Sequence, residues 1–423
     1  MFYNINVFTN NMEINMKNAR ILSIKIEGVK RFNNSVFSID LMNYQRVQGA
    51  LDDGGMYNLH SSIYLPKILG FAGINSSGKS TSLKLIYWVL NVFLCNMKIS
   101  EKFNKGVEEI FENNVTVETC ISIENKLFLV KSYIKRDVLF DKPIFVEEEI
   151  YEREMSATVR RSNILSVKDY HIKFKRSTLD DDLRTFLEED KSISKLIIGR
   201  NDDSVVSYYD EVFMKHGLMN LRESDNAILH FLDSSIETIV PFTNVLNVAN
   251  TSEKLFKVKF KGCEEQVLKS RDILSVLSDG TIKGIGLFKA IKSVLDKGGY
   301  LLIDEIENNL NKSIIVDVFK LFISTKSNPK GAMLLCTTHY TEIIDVLERN
   351  DMVFFNTKTK DGKLSLVNLS VILKRSDLKK SEIYFSDNLN IGTAIDYEKY
   401  LGFKRYFSGL DKKSEDSLMD GID

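Results

Sequence analysis

The first part of the chain alternates apolar and polar positions with a period of two. The alternation runs through RILSIKIEGV (20–29) and SVFSIDL (35–41), and it returns in VTVETCISIENKLFLVKSYIK (115–135) and PIFVEEEIYERE (143–154). Successive side chains of a strand point to opposite faces, so this pattern predicts half-buried strands, with turns at KRFNNS (30–35) and at 124–126. Two further strands are predicted at KLFKVKF (254–260) and QVLKSRDI (266–273).

Other segments carry the patterns of buried strands and of helices. KILGFAG (67–73) is almost continuously apolar, which predicts a buried strand, and a helix is predicted from Lys79 to Met97. Residues 176–240 are charged and predicted to be mainly helical, including LDDDLRTFLEE (179–189) and NAILHFLDSSIETIV (226–240). Helical and strand patterns alternate from Gly280 to Leu373, which is typical of an α/β sheet.

Composition favours a cytoplasmic protein with more than one domain. The 423 residues are 43% hydrophobic with four prolines, which is enough apolar material for two or three domains. The 57 basic and 58 acidic residues leave a net charge of -1, so no overall field draws the chain to nucleic acid or to an anionic membrane. The four cysteines form no CxxC pair, and the most apolar window, 83–95, is too short to cross a bilayer. We therefore expect no membrane partner.

A glycine-rich stretch lies between the buried strand and the following helix. Gly73, four further residues and Gly78-Lys79-Ser80 match GxxxxGK[ST], the phosphate loop of nucleotide-binding proteins. Glycines let backbone N–H groups turn towards a phosphate, and the helix adds its positive N-terminal end. Lys79 is predicted to reach the β- and γ-phosphates and Ser80 to bind Mg2+. The predicted nucleotide contacts in this loop are Gly73, Asn75, Ser76, Ser77, Gly78, Lys79, Ser80 and Thr81. An ordinary glycine-rich turn is the structural alternative.

A second motif supplies a pair of carboxylates. In GGYLLIDEIENNL (298–310) a short apolar strand ends in Asp304-Glu305. Carboxylates at that point emerge at the carboxyl edge of a sheet, where ligands bind in open α/β folds. Asp304 is predicted to hold Mg2+ through water, and Glu305 to orient or deprotonate the attacking water. A strand ending in Asp-Glu is common by itself, so the prediction depends on the pairing with the phosphate loop.

The spacing of the two motifs indicates a large insertion. Asp304 follows Lys79 by 225 residues, far more than a compact ring-forming ATPase or a small GTPase needs. Shortly before Asp304, Leu277-Ser278-Asp279-Gly280-Thr281 opens an amphipathic helix. After it, the strand AMLLC (332–336) is followed by Thr337-Thr338-His339.

The order of these motifs resembles that of ABC-type ATPase heads. Such heads carry a phosphate loop, an LSxG-type signature (here 277–280), a carboxylate pair and a switch histidine (here His339). More narrowly, LSDGTIKGIGLF, LLIDEIENNL and TTHYTEIID followed by DMVFFNTK are similar to the prokaryotic AAA15/AAA21 group of stand-alone ATPases, which have SMC/RecF-like heads and include phage-defence and abortive-infection proteins. The resemblance implies an α/β fold, an ABC-type P-loop ATPase head with an antiparallel β subdomain and an inserted helical lobe.

The resemblance also implies a domain plan and a composite site. The expected domains are a flexible leader (1–19), a discontinuous head (20–159 and 255–400), a mainly helical lobe (160–254) and a polar tail (401–423). The signature of one subunit would cap the γ-phosphate held by the other, with Ser278 and the backbone of Gly280 donating in trans in a dimer or higher assembly. His339 would contact the γ-phosphate and the attacking water, and residues 307–309 would link the two sites. LSDGT can alternatively be a plain helix cap, with Ser278 or Asp279 as its first residue.

Two features of the chain leave alternatives open. ABC-type heads usually carry a glutamine after the strands that follow the phosphate-loop helix, whereas this chain has none between Gln48 and Gln266. Either another polar residue in the 150–175 region replaces it, or the coupling to the lobe differs. A basic cluster is the best candidate for a nucleic-acid contact, but acidic residues at 180–182 favour a solvated face of mixed charge. The cluster comprises Arg160, Arg161, Lys168, Lys173, Lys175 and Arg176.

No second catalytic pattern stands beside the nucleotide motifs. HNH, zinc-ligand and RxxxxH patterns are absent from the sequence, and the 84 residues after His339 are too few for both the last strands of the head and a Toprim nuclease domain. We therefore expect an ATPase using ATP and Mg2+ that acts as the sensor or regulator of a separate, co-encoded effector in prokaryotic anti-phage defence. The alternative class is a DNA-binding or repair ATPase resembling RecF or a short SMC head. A structural switch that binds nucleotide without turnover is a third.

Overall fold

The computed structural model describes most of the chain. The described residues are 19–47, 55–101, 105–137, 142–180, 187–198, 206–209, 225–242, 255–308, 310–359, 361–373, 378–384 and 397–408. The predicted leader, except for its last residue, and residues 409–423 of the predicted tail lie outside this range.

Strands and helices occur in a mixed order along the described residues. The strands are β1 Arg20–Val29, β2 Val36–Asp40, β3 Met56–His60, β4 Ile63–Pro66, β5 Ile68–Ala72, β6 Phe111–Ile123, β7 Lys126–Asp137, β8 Lys142–Glu154, β9 His171–Lys175, β10 Val206–Tyr209, β11 Ile236–Phe242, β12 Leu255–Phe260, β13 Gln266–Lys269, β14 Tyr300–Ile303, β15 Met333–Thr338, β16 Val353–Lys358 and β17 Leu364–Asn368. The α-helices are α1 Lys79–Phe93, α2 Lys105–Glu108, α3 Lys195–Ile198, α4 Asn226–Leu232, α5 Ser270–Val276, α6 Asp279–Lys297, α7 Lys312–Ile323, α8 Thr341–Ile344, α9 Leu369–Ile372, α10 Lys380–Tyr384 and α11 Tyr397–Ser408. Short 3-10 helices span Asn33–Ser35, Val167–Asp169, Arg176–Thr178, Ile306–Asn308 and Asn350–Met352.

A central sheet of six strands has the order β10-β14-β15-β5-β16-β17, and all neighbours are parallel except β16 and β17. Every residue of β5, β14 and β15 is buried, as expected for strands covered on both faces. The predicted buried strand at 67–73 is thereby confirmed. Because parallel strands end at the same edge of a sheet, the residues after β5, β14 and β15 meet there.

A second sheet is entirely antiparallel and has the order β2-β1-β6-β7-β8-β9. Its strands confirm the period-two predictions, and Glu124 takes a left-handed φ of 54° in the predicted β6–β7 turn. The core between this sheet, α1 and the central sheet contains the only tryptophan, Trp88, packed edge-on against Phe93 and Phe111. This sheet reaches the central one through a bridge between Phe32 and Leu364.

The described part of the inserted segment contains strands as well as helices. NAILHFLDSSIETIV forms helix only in its first half, α4, whereas Ile236–Phe242 is strand β11; the prediction of helix there was wrong. Asp233 is extended, which ends α4, and the β-branched run that follows buries Ile236 and Ile239 in one small core, with an irregularity in the strand between Ile236 and Thr238. Of the predicted lobe, residues 181–186, 199–205, 210–224 and 243–254 lie outside the described residues, so its mainly helical character stays a prediction.

Strands β11, β12 and β13 form a small sheet that crosses the expected lobe–head boundary at 254 and 255. Its core includes residues of α4, β12 and α5. QVLKSRDI is strand only as far as Lys269, because α5 begins at Ser270. β10 belongs to the central sheet instead, where Tyr209 pairs with Ile303.

Helix α6 belongs to two hydrophobic cores. Ile282 and Ile285, in its first half, pack in the small core with β11 and β12, whereas Leu287, Ile291 and Val294 pack under the central sheet. Gly284 lies where α4 approaches, and a Cβ built there would stand 2.5 Å from a methyl carbon of Leu232. The helix therefore joins the small sheet to the body of the head.

The predicted end of the phosphate-loop helix differs from the observed one. Helix α1 ends at Phe93 rather than at Met97, because Asn96 takes a left-handed φ of 52° and the chain leaves the helix there. Helix α11 runs from Tyr397 to Ser408 and so crosses the expected start of the tail at 401. Among the residues placed in the structure, no helix combines the length and apolarity needed to cross a membrane.

Candidate functional site

The phosphate loop connects β5 to α1, as the sequence predicts. A Cβ at Gly73 would stand 2.5 Å from both the carbonyl oxygen of Asn356 and the hydroxyl of Ser77, so only glycine fits there. Gly78 has a φ of 93°, which favours glycine, and its Cα faces Leu364. These two positions explain why the loop needs glycine at both ends.

Lys79 is buried at the start of α1 and its ammonium group is held by the loop itself. Nζ donates to the carbonyl oxygens of Gly73 at 2.7 Å and Ile74 at 3.1 Å, and it lies 3.3 Å from Nδ1 of His339. Burial lowers the pKa of Lys79, while the carboxylates of Glu305, Glu307 and Asp304 act in the opposite direction. The cation thus lies in a partly desolvated position beside negative charge.

Asp304 directly follows β14, and its side chain connects the phosphate loop to the neighbouring strand. Its Oδ1 accepts a hydrogen bond from the Ser80 hydroxyl at 3.0 Å and another from the Thr337 hydroxyl at 2.6 Å. The structure therefore brings together the two side chains predicted to bind metal, Ser80 and Asp304.

Glu305 adopts an unusual backbone conformation, with a φ of 50°. Its backbone N–H donates to the Thr337 hydroxyl at 2.7 Å, and its carboxylate accepts from the Asn308 side chain. For a residue with a Cβ, left-handed φ values are uncommon and occur most often where a site constrains the chain. The half-buried carboxylate turns towards the phosphate loop.

His339 lies between Glu305 and Lys79. Its backbone N–H donates to Glu307 Oε1 at 2.6 Å, its Nδ1 faces the Lys79 ammonium, and its Nε2 lies 3.3 Å from Glu305 Oε1. Since an ammonium group can only donate, Nδ1 accepts, and the Nε2 proton is directed at Glu305. One neutral tautomer satisfies both contacts.

Lys79, Glu305 and His339 line a cavity of about 410 Å³ at the carboxyl edge of the central sheet, and Asp304 lies behind it, bonded to Ser80. The lining residues of the cavity are Arg31, Asn75, Ser76, Gly78, Lys79, Ser80, Thr81, Glu305, His339 and Leu364. The other predicted loop residues, Gly73 and Ser77, lie behind this surface and support it. The predicted catalytic residues Lys79, Glu305 and His339 therefore share one site.

No role in the site was predicted from the sequence for Arg31, Leu364 or Thr337. Arg31 was part of a predicted turn; it lines the cavity beside Leu364, whose N–H donates to the Arg31 carbonyl oxygen at 2.8 Å. Thr337 directly precedes the Thr-His pair and its hydroxyl contacts both carboxylate residues. A polar residue at the end of a buried strand beside β14 is the signal that could have indicated Thr337.

Ser278 and Gly280 do not line this cavity in the same chain. Ser278 is the N-cap of α6, where its hydroxyl accepts from the Thr281 N–H at 3.1 Å. Ser278 therefore does cap the helix, as the structural alternative predicts. It leaves open the expected role in trans, because a cap residue lies at a helix N-terminus, where N–H groups can face a phosphate.

The basic cluster forms ion pairs. Arg161 pairs with Asp40 and stacks on the Tyr44 ring, and Arg176 pairs with Glu148, whose side chain is fully buried. Lys173 and Lys175 pair with Glu152 and Glu149 on the neighbouring strand. This arrangement agrees with the predicted mixed-charge face.

None of residues 150–175, where a replacement for the missing glutamine was expected, lines the cavity.

The phosphate loop, the parallel strand order and the carboxylates at the edge of the sheet define an ABC-like P-loop ATPase. More particularly, the chain belongs to the family described as "AAA domain, putative AbiEii toxin, Type IV TA system", whose model matches residues 68–345, more than half of its length. No curated protein sequence matches the chain significantly. A solved structure with similarity is the Smc head domain with a coiled coil and joint derived from Pyrococcus yayanosii, at 10% identity and a TM-score of 0.43, covering 86% of this chain and 99% of that chain.

Proposed function

We propose that the protein binds ATP with Mg2+ and hydrolyses it to ADP and phosphate. The observation that carries this proposal is the continuous hydrogen-bonded set at the sheet edge, in which Asp304 contacts Ser80 and His339 lies between Lys79 and Glu305. These contacts join the two motifs that are 225 residues apart in sequence. A glycine-rich turn with a purely structural role would require none of them.

The donor set fits a nucleotide and a hard cation. The loop residues Asn75, Ser76 and Gly78 line the cavity, where they would contact a phosphate. Ser80 and Asp304 offer oxygen atoms, the ligand type that Mg2+ prefers. In the described part of the chain no group of three His, Cys, Asp or Glu side chains could hold a metal ion. Mg2+ at Ser80 and Asp304 would take its other ligands from phosphate and water.

Each side chain has a distinct role in this proposal. Lys79 exchanges its bonds to loop carbonyls for phosphate oxygens, and the bound cation neutralises charge on the phosphates. Glu305 accepts a proton from the attacking water or orients it, while the Nε2 proton of His339 is available to a phosphate oxygen or to that water. Thr81, which also lines the cavity, supplies a second hydroxyl beside that of Ser80.

We further propose that the complete site contains two chains. Ser278 and Gly280 lie outside the cavity of their own chain, so their expected contact with the γ-phosphate requires a second copy. An isologous dimer would place the start of α6 of each chain over the phosphate loop of the other. ATP is then the ligand that closes the interface.

The biological setting we propose is regulation of a separate effector in prokaryotic anti-phage defence, in the cytoplasm. The family description names a type IV toxin–antitoxin system, which supports a role in such control. A DNA-binding role like that of RecF or a short SMC head has less support, since most cations of the basic cluster are paired with carboxylates of the same sheet. Binding to nucleic acid remains measurable through its steep salt dependence.

Paired variants test the proposed activity. Lys79→Ala should lose ATP binding, whereas Glu305→Gln should bind ATP normally and lose hydrolysis by about a hundredfold or more, because only the group acting on water is changed. ATP binding is measured with a fluorescent analogue and turnover by phosphate release. Wild-type turnover that persists in Glu305→Gln would remove Glu305 from its role, and absence of ATP binding by the wild type would contradict the proposal as a whole.

A further inference from the structure

Thr337 is the last residue but one of β15, and its side chain lies between the two carboxylate residues. It is completely buried, and its backbone pairs with Phe71 of β5 on one side of the strand. Its hydroxyl donates to Asp304 Oδ1 at 2.6 Å and accepts from the Glu305 N–H at 2.7 Å. A hydroxyl group has one proton to donate, and here that proton goes to Asp304.

We propose that Thr337 is a positioning residue that holds Asp304 and Glu305 in the geometry needed for metal binding and for water activation. The inference rests on the proposed ATPase function and gives a role to a residue for which none was predicted from the sequence. Thr337 does not line the cavity, so it acts through Glu305, which does, and through Asp304, which accepts from Ser80.

The backbone alone does not fix these two residues. Pairing between β14 and β15 ends at Ile303 and Cys336, so Asp304 and Glu305 follow the last paired position. Glu305 then takes a φ of 50°, a conformation that persists only when its surroundings impose it. The bond from its N–H to Thr337 is a contact that imposes it, because a relaxed backbone would direct that N–H elsewhere.

Asp304 gives a second reason for this assignment. Its Oδ1 has two donors, Ser80 and Thr337, and the Ser80 hydroxyl is the group predicted to turn to Mg2+. Thr337 has no such competing role, so its bond can persist when Ser80 changes partner. The carboxylate then stays in place for the metal in both situations.

Removal and conservative replacement of the hydroxyl test this assignment. Thr337→Val keeps the shape of the side chain but can neither donate nor accept, whereas Thr337→Ser keeps the hydroxyl. We expect Thr337→Val to lower kcat about ten- to a hundredfold and to raise the Mg2+ concentration for half-maximal activity, with little change in metal-free ATP affinity. Thr337→Ser should stay within about threefold of wild type.

The control is Thr119→Val. Thr119 is equally buried, and its hydroxyl donates to the Ser23 carbonyl oxygen at 3.0 Å in the antiparallel sheet. Thr119→Val should lose about as much thermal stability as Thr337→Val, without any change in kcat. A second measurement, independent of turnover, is Mn2+ binding to the ATP complex followed by electron paramagnetic resonance, which should weaken in Thr337→Val alone.

The outcomes separate this inference from the proposed function. Equal impairment of Thr337→Ser and Thr337→Val would indicate packing and overturn the positioning role, as would unchanged kcat and Mn2+ affinity in folded Thr337→Val. If wild type binds ATP without hydrolysing it, the Mn2+ measurement still decides: weaker binding supports the role of Thr337, and unchanged binding overturns it. Failure of Lys79→Ala to change ATP binding counts against the proposed function instead.

Discussion

At the scale of single residues, Gly73 illustrates how the phosphate loop depends on the absence of one carbon atom. Its neighbours across the missing Cβ are a backbone carbonyl oxygen of Asn356 and the buried hydroxyl of Ser77. A backbone oxygen on a central strand cannot move aside as a flexible side chain can. The site at Lys79 is therefore built against β16 as well as on β5.

Gly73→Ala should weaken ATP binding at least tenfold and lower stability by about 1–3 kcal/mol, because the added methyl group overpacks a rigid contact. The comparison is Gly106→Ala, where nothing lies within 4 Å of the added carbon. Fluorescent-nucleotide titration and denaturant unfolding measure the two effects. Normal ATP affinity in folded Gly73→Ala would contradict the geometry described for the loop.

The residues proposed to bind nucleotide were more readily predicted than those that support them. Gly73, Lys79, Asp304 and His339 follow fixed spacings or strand ends, so the sequence indicates them directly. Arg31 carries no such signal, and the strand-end position of Thr337 does not reveal its role: both depend on contacts with residues more than 30 positions away, which become visible only when the sheets are assembled.

At the scale of elements, the segment after β9 is fastened to the antiparallel sheet by a buried ion pair. Glu148 on β8 has no exposed side-chain surface, and it accepts from Arg176, Ser132, Ser192 and the Ile193 N–H. The next residue after Ile193, Ser194, donates its hydroxyl proton to the Phe93 carbonyl oxygen at the end of α1. The residues around Ser192–Ser194 therefore bond both to the antiparallel sheet, through Glu148, and to the end of the phosphate-loop helix, through Phe93.

Glu148→Ala should lower the free energy of unfolding by about 3–5 kcal/mol, since it leaves the Arg176 charge without its buried partner. Replacing both residues with methionine should recover part of that loss, because no unpaired charge remains. Denaturant unfolding measures both. Glu154→Ala, which removes an exposed carboxylate, is the control and should change stability by less than about 1 kcal/mol; a similar small effect at Glu148 would show that the pair contributes little.

Element type was predicted well where one pattern dominated and poorly where two overlapped. The alternation in β1, β6, β7 and β8 gave the correct strands, and the buried run of β5 was equally clear. In 226–240 a helical half runs directly into a β-branched half, and the charged residues around them favoured one long helical prediction. The pairing of β11 with β12 decides the matter, and it is not local in sequence.

At the scale of the whole molecule, we expect two chains to assemble with ATP and to meet at the signature, and a substitution there tests this interface. Ser278→Arg should block dimerisation of an ATP-bound, hydrolysis-deficient Glu305→Gln protein, while the affinity of one chain for ATP stays within about twofold, because Ser278 does not line its own cavity. Multi-angle light scattering with ATP measures the assembly. Ser156→Arg, at an exposed serine after β8, is the control.

Mixing Ser278→Arg with Lys79→Ala chains extends that test. Each mixed dimer should contain at most one competent site, formed by the intact phosphate loop of one chain and the intact signature of the other. Restored turnover in the mixture therefore supports sharing of the site. Full activity from a strictly monomeric wild-type protein would exclude it.

The pairing of strands across the predicted head–lobe boundary was the least predictable feature. The sequence indicates an insertion by the distance between Lys79 and Asp304, but distance does not reveal that β10 pairs with β14 or that one small sheet includes both β11 and β12. Sheet membership depends on partners far apart in the chain, and single-sequence periodicity contains no information about partners.

Helix α6 packs in two hydrophobic cores, and this has a consequence for how the protein unfolds. Loss of the small core around Ile282 and Ile285 removes the packing of the first half of α6, and the freed helix then loses support beneath the central sheet, where Leu287 and Val294 lie. Because one continuous helix contributes side chains to both cores, we expect the loss of one core to weaken the other. Cutting the chain within α6 would leave neither piece with a complete interior.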